Sequence, residues 1–69
     1  MLYNVLVYEP YEGYDHALED GTEEEMKAFL LGYKGWLDDL TIIGNGVQDT
    51  DAVLKKFDLV RYRGKVKVL

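Results

Sequence analysis

The chain has 69 residues, of which 48% are hydrophobic and none is cysteine, and its formal net charge is −5. This length and composition favour one packed domain spanning residues 1–69, and they exclude disulfide bonds and thiol chemistry. No apolar run approaches the ~20 residues that a membrane-spanning helix requires. We therefore expect a small cytoplasmic protein with no membrane partner.

The charges are unevenly distributed along the chain. Residues 1–54 contain twelve acidic and two basic side chains, whereas residues 55–69 contain six basic and one acidic. The sequence therefore predicts an acidic body and a basic C-terminal edge. Such asymmetry bears on the kind of partner that the protein binds.

The first predicted element is a strand over residues 2–8, which are β-branched and aromatic and stop at Pro10. Residues 9–21 contain Pro10, Gly13 and Gly21 among acids and tyrosines and are predicted to form a loop, with a turn of helix around residues 15–19 as a variant. A loop of this length in a compact domain is uncommon and is often functional.

Thr22 and Glu25 form a capping-box pattern that predicts the start of a helix. Apolar residues then recur on one arc at 100° per residue, which predicts a helix over about residues 23–38. The members of this arc are Met26, Phe29, Leu30, Tyr33, Trp36, Leu37 and Leu40.

Small residues line the opposite side of that predicted helix: Ala28, Leu31, Gly32 and Gly35. Two interpretations remain open for them. In the first, the glycines loosen the last turn, because each costs about 1 kcal/mol relative to alanine in a helix. Alternatively, they form a flat face that a second helix can approach closely.

Residues 41–43 are predicted to form a short strand, followed by a turn at residues 44–46. Asp49 is placed to cap a short helix over about residues 50–57. Residues 59–69 alternate between apolar and basic side chains, which favours one long strand that relaxes at Gly64. A two-residue turn at Arg63 and Gly64 would set Val60 opposite Lys67 and break the alternation.

These elements predict an α+β fold in the order β-α-β-α-β, with a three-stranded sheet packed by one long and one short helix. Several chemistries are excluded at this point. The chain has no serine for a Ser-His-Asp triad and one histidine, His16, surrounded by carboxylates that are poor zinc partners. The sequence predicts no enzyme activity, no metal and no cofactor.

One candidate partner-binding surface is acidic and aromatic. Tyrosines recur every three residues from residue 8 to residue 14, with acids between and after them. Tyrosine is enriched in interfaces, and carboxylates spread along a surface can imitate the phosphates that a basic groove receives. The predicted site comprises Tyr8, Tyr11, Glu12, Tyr14, Asp15, Glu19, Asp20, Glu23 and Glu24. The competing interpretation is that these acids are merely solvated and that those at residues 23–25 serve the helix dipole.

The alternative surface is the basic face of the last strand, formed by Arg61, Arg63, Lys65 and Lys67. In a single strand Tyr62 points away from these cations, so no aromatic ring lies among them. The net charge also opposes direct binding of nucleic acid. The expected role of this face is pairing with the acidic body or protection of a sheet edge.

The function predicted from the sequence is a protein-binding module, an inhibitor or regulator whose acidic surface docks into a basic groove of a protein partner. In size and acidity the chain resembles small phage-type proteins that mimic nucleic acid. A structural role through a homodimer is the main alternative, and nucleic-acid binding through the basic face is the second.

Overall fold

The computed structural model describes residues 2–44 and 46–69. Within these ranges, no helix is long and apolar enough to cross a membrane. The elements in chain order are β1 (Tyr3–Glu9), β2 (Gly13–Gly21), α1 (Glu23–Gly32), a 3-10 turn (Leu37–Asp39), β3 (Leu40–Gly44), β4 (Val47–Gln48), α2 (Thr50–Lys56), β5 (Leu59–Tyr62) and β6 (Lys65–Val68).

The predicted α+β class, with two helices and a sheet of three main strands, is confirmed, whereas the predicted element order β-α-β-α-β is confirmed only in part, because β2 lies before α1 and two strands follow α2. The main sheet is antiparallel throughout and has the order β2-β1-β3-β4, and β5 pairs only with β6 in a separate hairpin. The predicted strands at residues 2–8 and 41–43 correspond to β1 and β3, which are neighbours. The third long strand of this sheet is β2, which was predicted to be a loop.

The core lies between one face of the main sheet, the two helices and strand β5. Alternate residues of β1 and β3 point into it, as expected for strands with one buried face. Burying these apolar side chains is the main source of stability in a domain of this size. Among the described residues, the buried apolar side chains are those of Tyr3, Val5, Met26, Leu30, Leu37, Leu40, Ile42, Val53, Leu54 and Leu59.

Helix α1 begins where the capping box predicts, because the Thr22 hydroxyl accepts from the Glu25 amide at 3.2 Å and the Glu25 carboxylate accepts from the Thr22 amide at 3.0 Å. It ends at Gly32, six residues before the predicted end. Tyr33 has extended backbone angles, and its hydroxyl donates to the Trp36 carbonyl at 3.0 Å.

The ring of Tyr33 folds back over Gly35, where a β-carbon would come within 2.5 Å of the hydroxyl oxygen. Burial raises the pKa of this hydroxyl above its ordinary value. Because the helix ends at Gly32, Trp36, Leu37 and Leu40 do not lie on the predicted helical arc. Leu37 enters the core from the 3-10 turn instead.

The predicted loop over residues 9–21 is wrong, and so is the variant with a helical turn at residues 15–19. The chain turns at residues 9–12, where the Glu12 amide donates to the Glu9 carbonyl at 3.1 Å with Pro10 at the second position. Gly13 follows with φ +87°, and β2 then pairs with β1. Strand β2 is exposed along most of its length, so it lacks the apolar alternation by which a strand is predicted.

The prediction of one long strand over residues 59–69 is also wrong. Arg63 and Gly64 both have positive φ, at +52° and +77°, and form a two-residue turn between β5 and β6. Two successive positive φ values match the right-handed twist of a tight hairpin. The register does set Val60 opposite Lys67, the pairing that the alternation disfavours.

The predicted short helix capped by Asp49 is present. The Asp49 carboxylate accepts from the Ala52 amide at 3.1 Å and caps α2, which ends at Lys56. The predicted turn at residues 44–46 includes Asn45, which lies outside the described residues. Gly44 ends β3, and Gly46 has φ +78° ahead of β4.

Candidate interaction site

The hairpin of β1 and β2 holds three exposed tyrosines at one end, a feature that we call the tyrosine tip (Tyr8, Tyr11, Tyr14 and Glu12). Tyr8 and Tyr14 are directly opposite each other in the register, with ring centroids 5.3 Å apart in an edge-to-face arrangement. Tyr11 lies in the turn and is 100% exposed, while Tyr8 and Tyr14 are 42% and 60% exposed. Sequence positions three apart are thus brought together by the turn, as the predicted site requires.

Asp15 belongs to the same hairpin but lies on its other face. It pairs with Val7, which packs against the core, so the two side chains share the face that carries the helices. Asp15 nevertheless remains exposed at the edge of the sheet. The tyrosine tip and Asp15 therefore flank the end of the hairpin from two sides.

Asp20, Glu23 and Glu24 lie at the far end of β2, so the predicted site is split into two groups. From Tyr14 to Asp20 the strand rises roughly 20 Å at its usual ~3.3 Å per residue. Asp20 has φ +49°, and its amide donates to the Asn4 side-chain oxygen at 3.1 Å. A partner that contacts both groups must therefore extend along most of β2.

Glu23 is already paired within the molecule, which weakens its candidacy as a partner contact. Its carboxylate accepts a hydrogen bond from the ammonium group of Lys56 on α2. That hydrogen bond lowers the pKa of Glu23 from its ordinary value, and the pKa of Lys56 is raised by the same bond and by the Tyr3 hydroxyl. Glu24 is exposed in the first turn of α1, where its charge complements the helix dipole.

Strand β2 is an edge strand of the main sheet, which the sequence did not predict. Its register against β1 shifts twice, between Tyr3 and Val5 and between Val5 and Leu6. Irregular pairing and charged side chains are two devices by which edge strands avoid pairing with other chains. Its charged side chains at neutral pH are acidic ones, Asp15, Glu19 and Asp20.

The predicted basic face does not exist as one surface, because the turn at Arg63 and Gly64 divides it. Arg61 lies on the face that carries Leu59 and Val66, and its guanidinium binds Asp38 at 3.0 Å and Asp51 at 3.2 Å. Lys65 and Lys67 lie on the opposite face. The predicted pairing of cations with the acidic body therefore holds for Arg61.

On the outer face of this hairpin the cations lie among aromatic rings. The Lys67 ammonium is 4.4 Å from the Tyr62 ring centroid, and the Arg63 guanidinium is 5.2 Å from the same ring. The Lys65 ammonium is 4.8 Å from the Trp36 ring centroid. The prediction that Tyr62 points away from the cations is wrong, because it rested on a single strand. We call these five residues the aromatic–basic surface.

The small-residue face proposed for self-association is also changed. Gly32 is the last residue of α1, and Gly35 lies beyond the helix under the ring of Tyr33. Ala28 and Leu31 remain exposed on α1. The flat helical face predicted for close approach of another helix is therefore not formed.

Within the described ranges, no group of three or more histidine, cysteine or acidic side chains is placed to hold a metal ion. The lone histidine, His16, is exposed on β2 opposite Leu6. The sequence matches no protein-family model, and comparisons with curated proteins and with solved structures give no match either.

Proposed function

We propose that the chain is a non-enzymatic protein-binding module, an inhibitor or regulator that docks its acidic, tyrosine-rich hairpin into a basic groove of a partner protein. The observation that carries this proposal is the tyrosine tip. Three tyrosines are exposed together at the end of a hairpin whose charged side chains at neutral pH are acidic. Each ring offers a large contact area at a low entropic cost of ordering.

The mutual contact of Tyr8 and Tyr14 supports the role of these rings as anchors. Rings that pack edge to face lose fewer conformations on binding than freely rotating ones, because their neighbours already restrict them. Tyr11 projects beyond the pair and has no contact that holds it in the free protein. It is the ring expected to enter a partner pocket.

The charge of β2 supports a basic partner. Glu12, Asp15 and Glu19 are exposed along the hairpin without an ion pair among the described residues. Opposite charge on the partner would accelerate encounter and select against acidic surfaces. In this proposal Glu23 and Glu24 play a minor part, since they lie far from the tyrosine tip and Glu23 is bound to Lys56.

Self-association through a homodimer has less support. Its predicted helical face is not formed, and the last strand, on which this prediction also rests, is folded into the β5–β6 hairpin. The free edge of β2 carries acids that would repel the same strand of a second copy. We therefore treat a homodimer as an outcome to be detected in the experiment below.

The test is affinity capture from the lysate of the source organism at low and high salt, with the wild-type chain and E12K/D15K/E19K as parallel baits. We expect the wild-type chain to capture one stoichiometric protein with a basic groove and to release it at high salt. The triple variant should lose that protein while keeping the circular dichroism spectrum and Tm of the wild-type chain. Y11A should weaken capture without loss of charge.

The matched control is Y62A, which removes an exposed tyrosine that is not part of the tyrosine tip. It should capture the partner as the wild-type chain does. Equal capture by the triple variant and the wild-type chain would contradict the proposal. Recovery of only the bait itself, unaffected by salt, would replace it with self-assembly.

A further inference from the structure

The aromatic–basic surface is the second exposed patch in which charge and aromatic rings coincide. Trp36 and Tyr62 are 55% and 50% exposed, and the three cations beside them are exposed as well. Val60 pairs with Lys67 and Tyr62 with Lys65, so both rings and both lysines lie on one side of the β5–β6 hairpin. The patch shares no residue with the tyrosine tip.

Arg63 occupies a backbone conformation that is unfavourable for arginine. At φ +52° in the first position of the turn, asparagine, aspartate or glycine is preferred, and arginine costs about 1–2 kcal/mol there. In return, a cation is placed beside the Tyr62 ring at the tip of the hairpin. Strain of this kind is a reason to look for a function that needs the strained side chain.

The charge of the whole protein does not describe the charge at this surface. Residues 59–68 contain four cations and no acid, and the two acids that form ion pairs with this segment bind Arg61 on the other face. At physiological ionic strength, exposed charges more than about 8 Å apart are largely screened from each other. The objection to nucleic-acid binding from the net charge therefore loses most of its force at this hairpin.

We propose that the aromatic–basic surface binds single-stranded nucleic acid, with bases stacked on Tyr62 and Trp36 and phosphates contacted by Arg63, Lys65 and Lys67. Cations beside exposed rings are the combination by which proteins bind single strands without reading their sequence. On binding, each lysine moves from the ring face to a neighbouring phosphate, and a base takes its place. A duplex offers no free base faces to these rings.

The experiment uses Trp36, the one tryptophan of the chain, as the reporter. Titration with a 12-nucleotide oligothymidylate should quench its fluorescence to saturation, with a dissociation constant of about 10⁻⁴–10⁻⁶ M. Three phosphate contacts predict a slope of about −2 for log affinity against log salt concentration. A DNA duplex of the same length should quench more weakly.

Two variants and one matched control assign the binding to these residues. K65Q/K67Q should weaken binding about tenfold or more and reduce the salt slope to about −0.7, and Y62A should weaken it about tenfold through lost stacking. K27Q/K55Q removes the same charge from exposed lysines of α1 and α2 and should bind like the wild-type chain. Equal losses in K65Q/K67Q and K27Q/K55Q would overturn the proposal.

Two further outcomes would also overturn it. The first is no saturable quenching by the oligothymidylate at millimolar concentration. The second is quenching and competition by poly-glutamate as strong as that of the oligothymidylate, which would make this an acidic-peptide site. E12K/D15K/E19K should retain quenching and K65Q/K67Q should retain partner capture, so a failure of this proposal is distinguishable from a failure of the proposed function.

Discussion

The two exposed hairpins differ in how their ends are attached to the rest of the molecule. The turn between β1 and β2 is built on Pro10 and Gly13, and its side chains contact mainly each other and solvent. The turn between β5 and β6 is instead fixed by contacts with residues outside its own hairpin. The Gly64 carbonyl accepts from the Leu37 amide at 2.7 Å, and Trp36 packs against Gly64.

This difference indicates in which of the two turns a substitution should leave the stability of the fold unchanged. The turn end of the β1–β2 hairpin presents exposed side chains that the core does not use, so substitutions there are expected to cost little stability. The hairpin of β5 and β6, which we call the basic hairpin, contributes buried Leu59 to the core. Its Arg61 forms ion pairs with Asp38 and Asp51 of neighbouring elements. Its surface and its stability are therefore coupled.

The largest expected difference lies between the two turn glycines. G64A should lower the free energy of unfolding by about 2 kcal/mol, because φ is +77° and the new β-carbon would lie 2.8 Å from the Trp36 ring. G13A has a positive φ too but meets nothing within 4 Å, so about 1 kcal/mol is expected. Urea denaturation of both variants measures the difference. Equal losses would show that Trp36 does not constrain the turn.

A smaller effect of opposite sign is expected at Arg63. R63N should raise the free energy of unfolding by about 0.5–1 kcal/mol, because asparagine tolerates the positive φ of this position. The same variant should bind oligothymidylate more weakly through loss of a cation. Thermal denaturation and Trp36 quenching measure the two effects, with R63K as the control that keeps both charge and strain. A variant that is less stable than the wild-type chain would contradict the interpretation of strain.

The smallest effect is expected at the ion pair between α1 and α2. The folded-state pKa of Glu23 lies below its unfolded value, so the pair stabilises the fold above the unfolded pKa near 4.5. This contribution is lost as the pH falls through the folded-state pKa. Because both side chains are exposed, only a slight difference between E23Q and the wild-type chain is expected at pH 7, and a smaller one at pH 2. Urea denaturation at both pH values measures it, and a larger difference at pH 2 than at pH 7 would contradict the assignment.

The elements that the sequence predicts correctly are those with local signals. Thr22 with Glu25 fixes the start of α1, and Asp49 fixes the start of α2, because each cap is made by side chains three residues apart or fewer. The end of α1 was missed because it depends on Tyr33 folding over Gly35, a contact that helical periodicity does not contain.

The missed strands depend on pairing between distant residues. Strand β2 has exposed acids and little apolar alternation, and it becomes a strand because β1 supplies its hydrogen-bond partners. The alternation of apolar and basic residues continues across Gly64 and so predicts a single strand. The turn that forms there is packed against Trp36, a residue remote in sequence, which the local pattern does not reveal. The spacing of the tyrosines drew attention to the residues of the tyrosine tip, but it predicted neither the contact of Tyr8 with Tyr14 nor the contacts of Trp36 and Tyr62 with the lysines.

The hydrogen bond from the Leu37 amide to the Gly64 carbonyl makes one backbone proton a reporter of a local motion. Leu37 is buried, so its amide exchanges with deuterium only when the basic hairpin lifts from the 3-10 turn or when the whole domain unfolds. Comparing its exchange rate with that of an amide in the middle of β1 gives the free energy of this detachment alone. A molecule with so few elements thus carries a built-in measure of how independently its last hairpin moves.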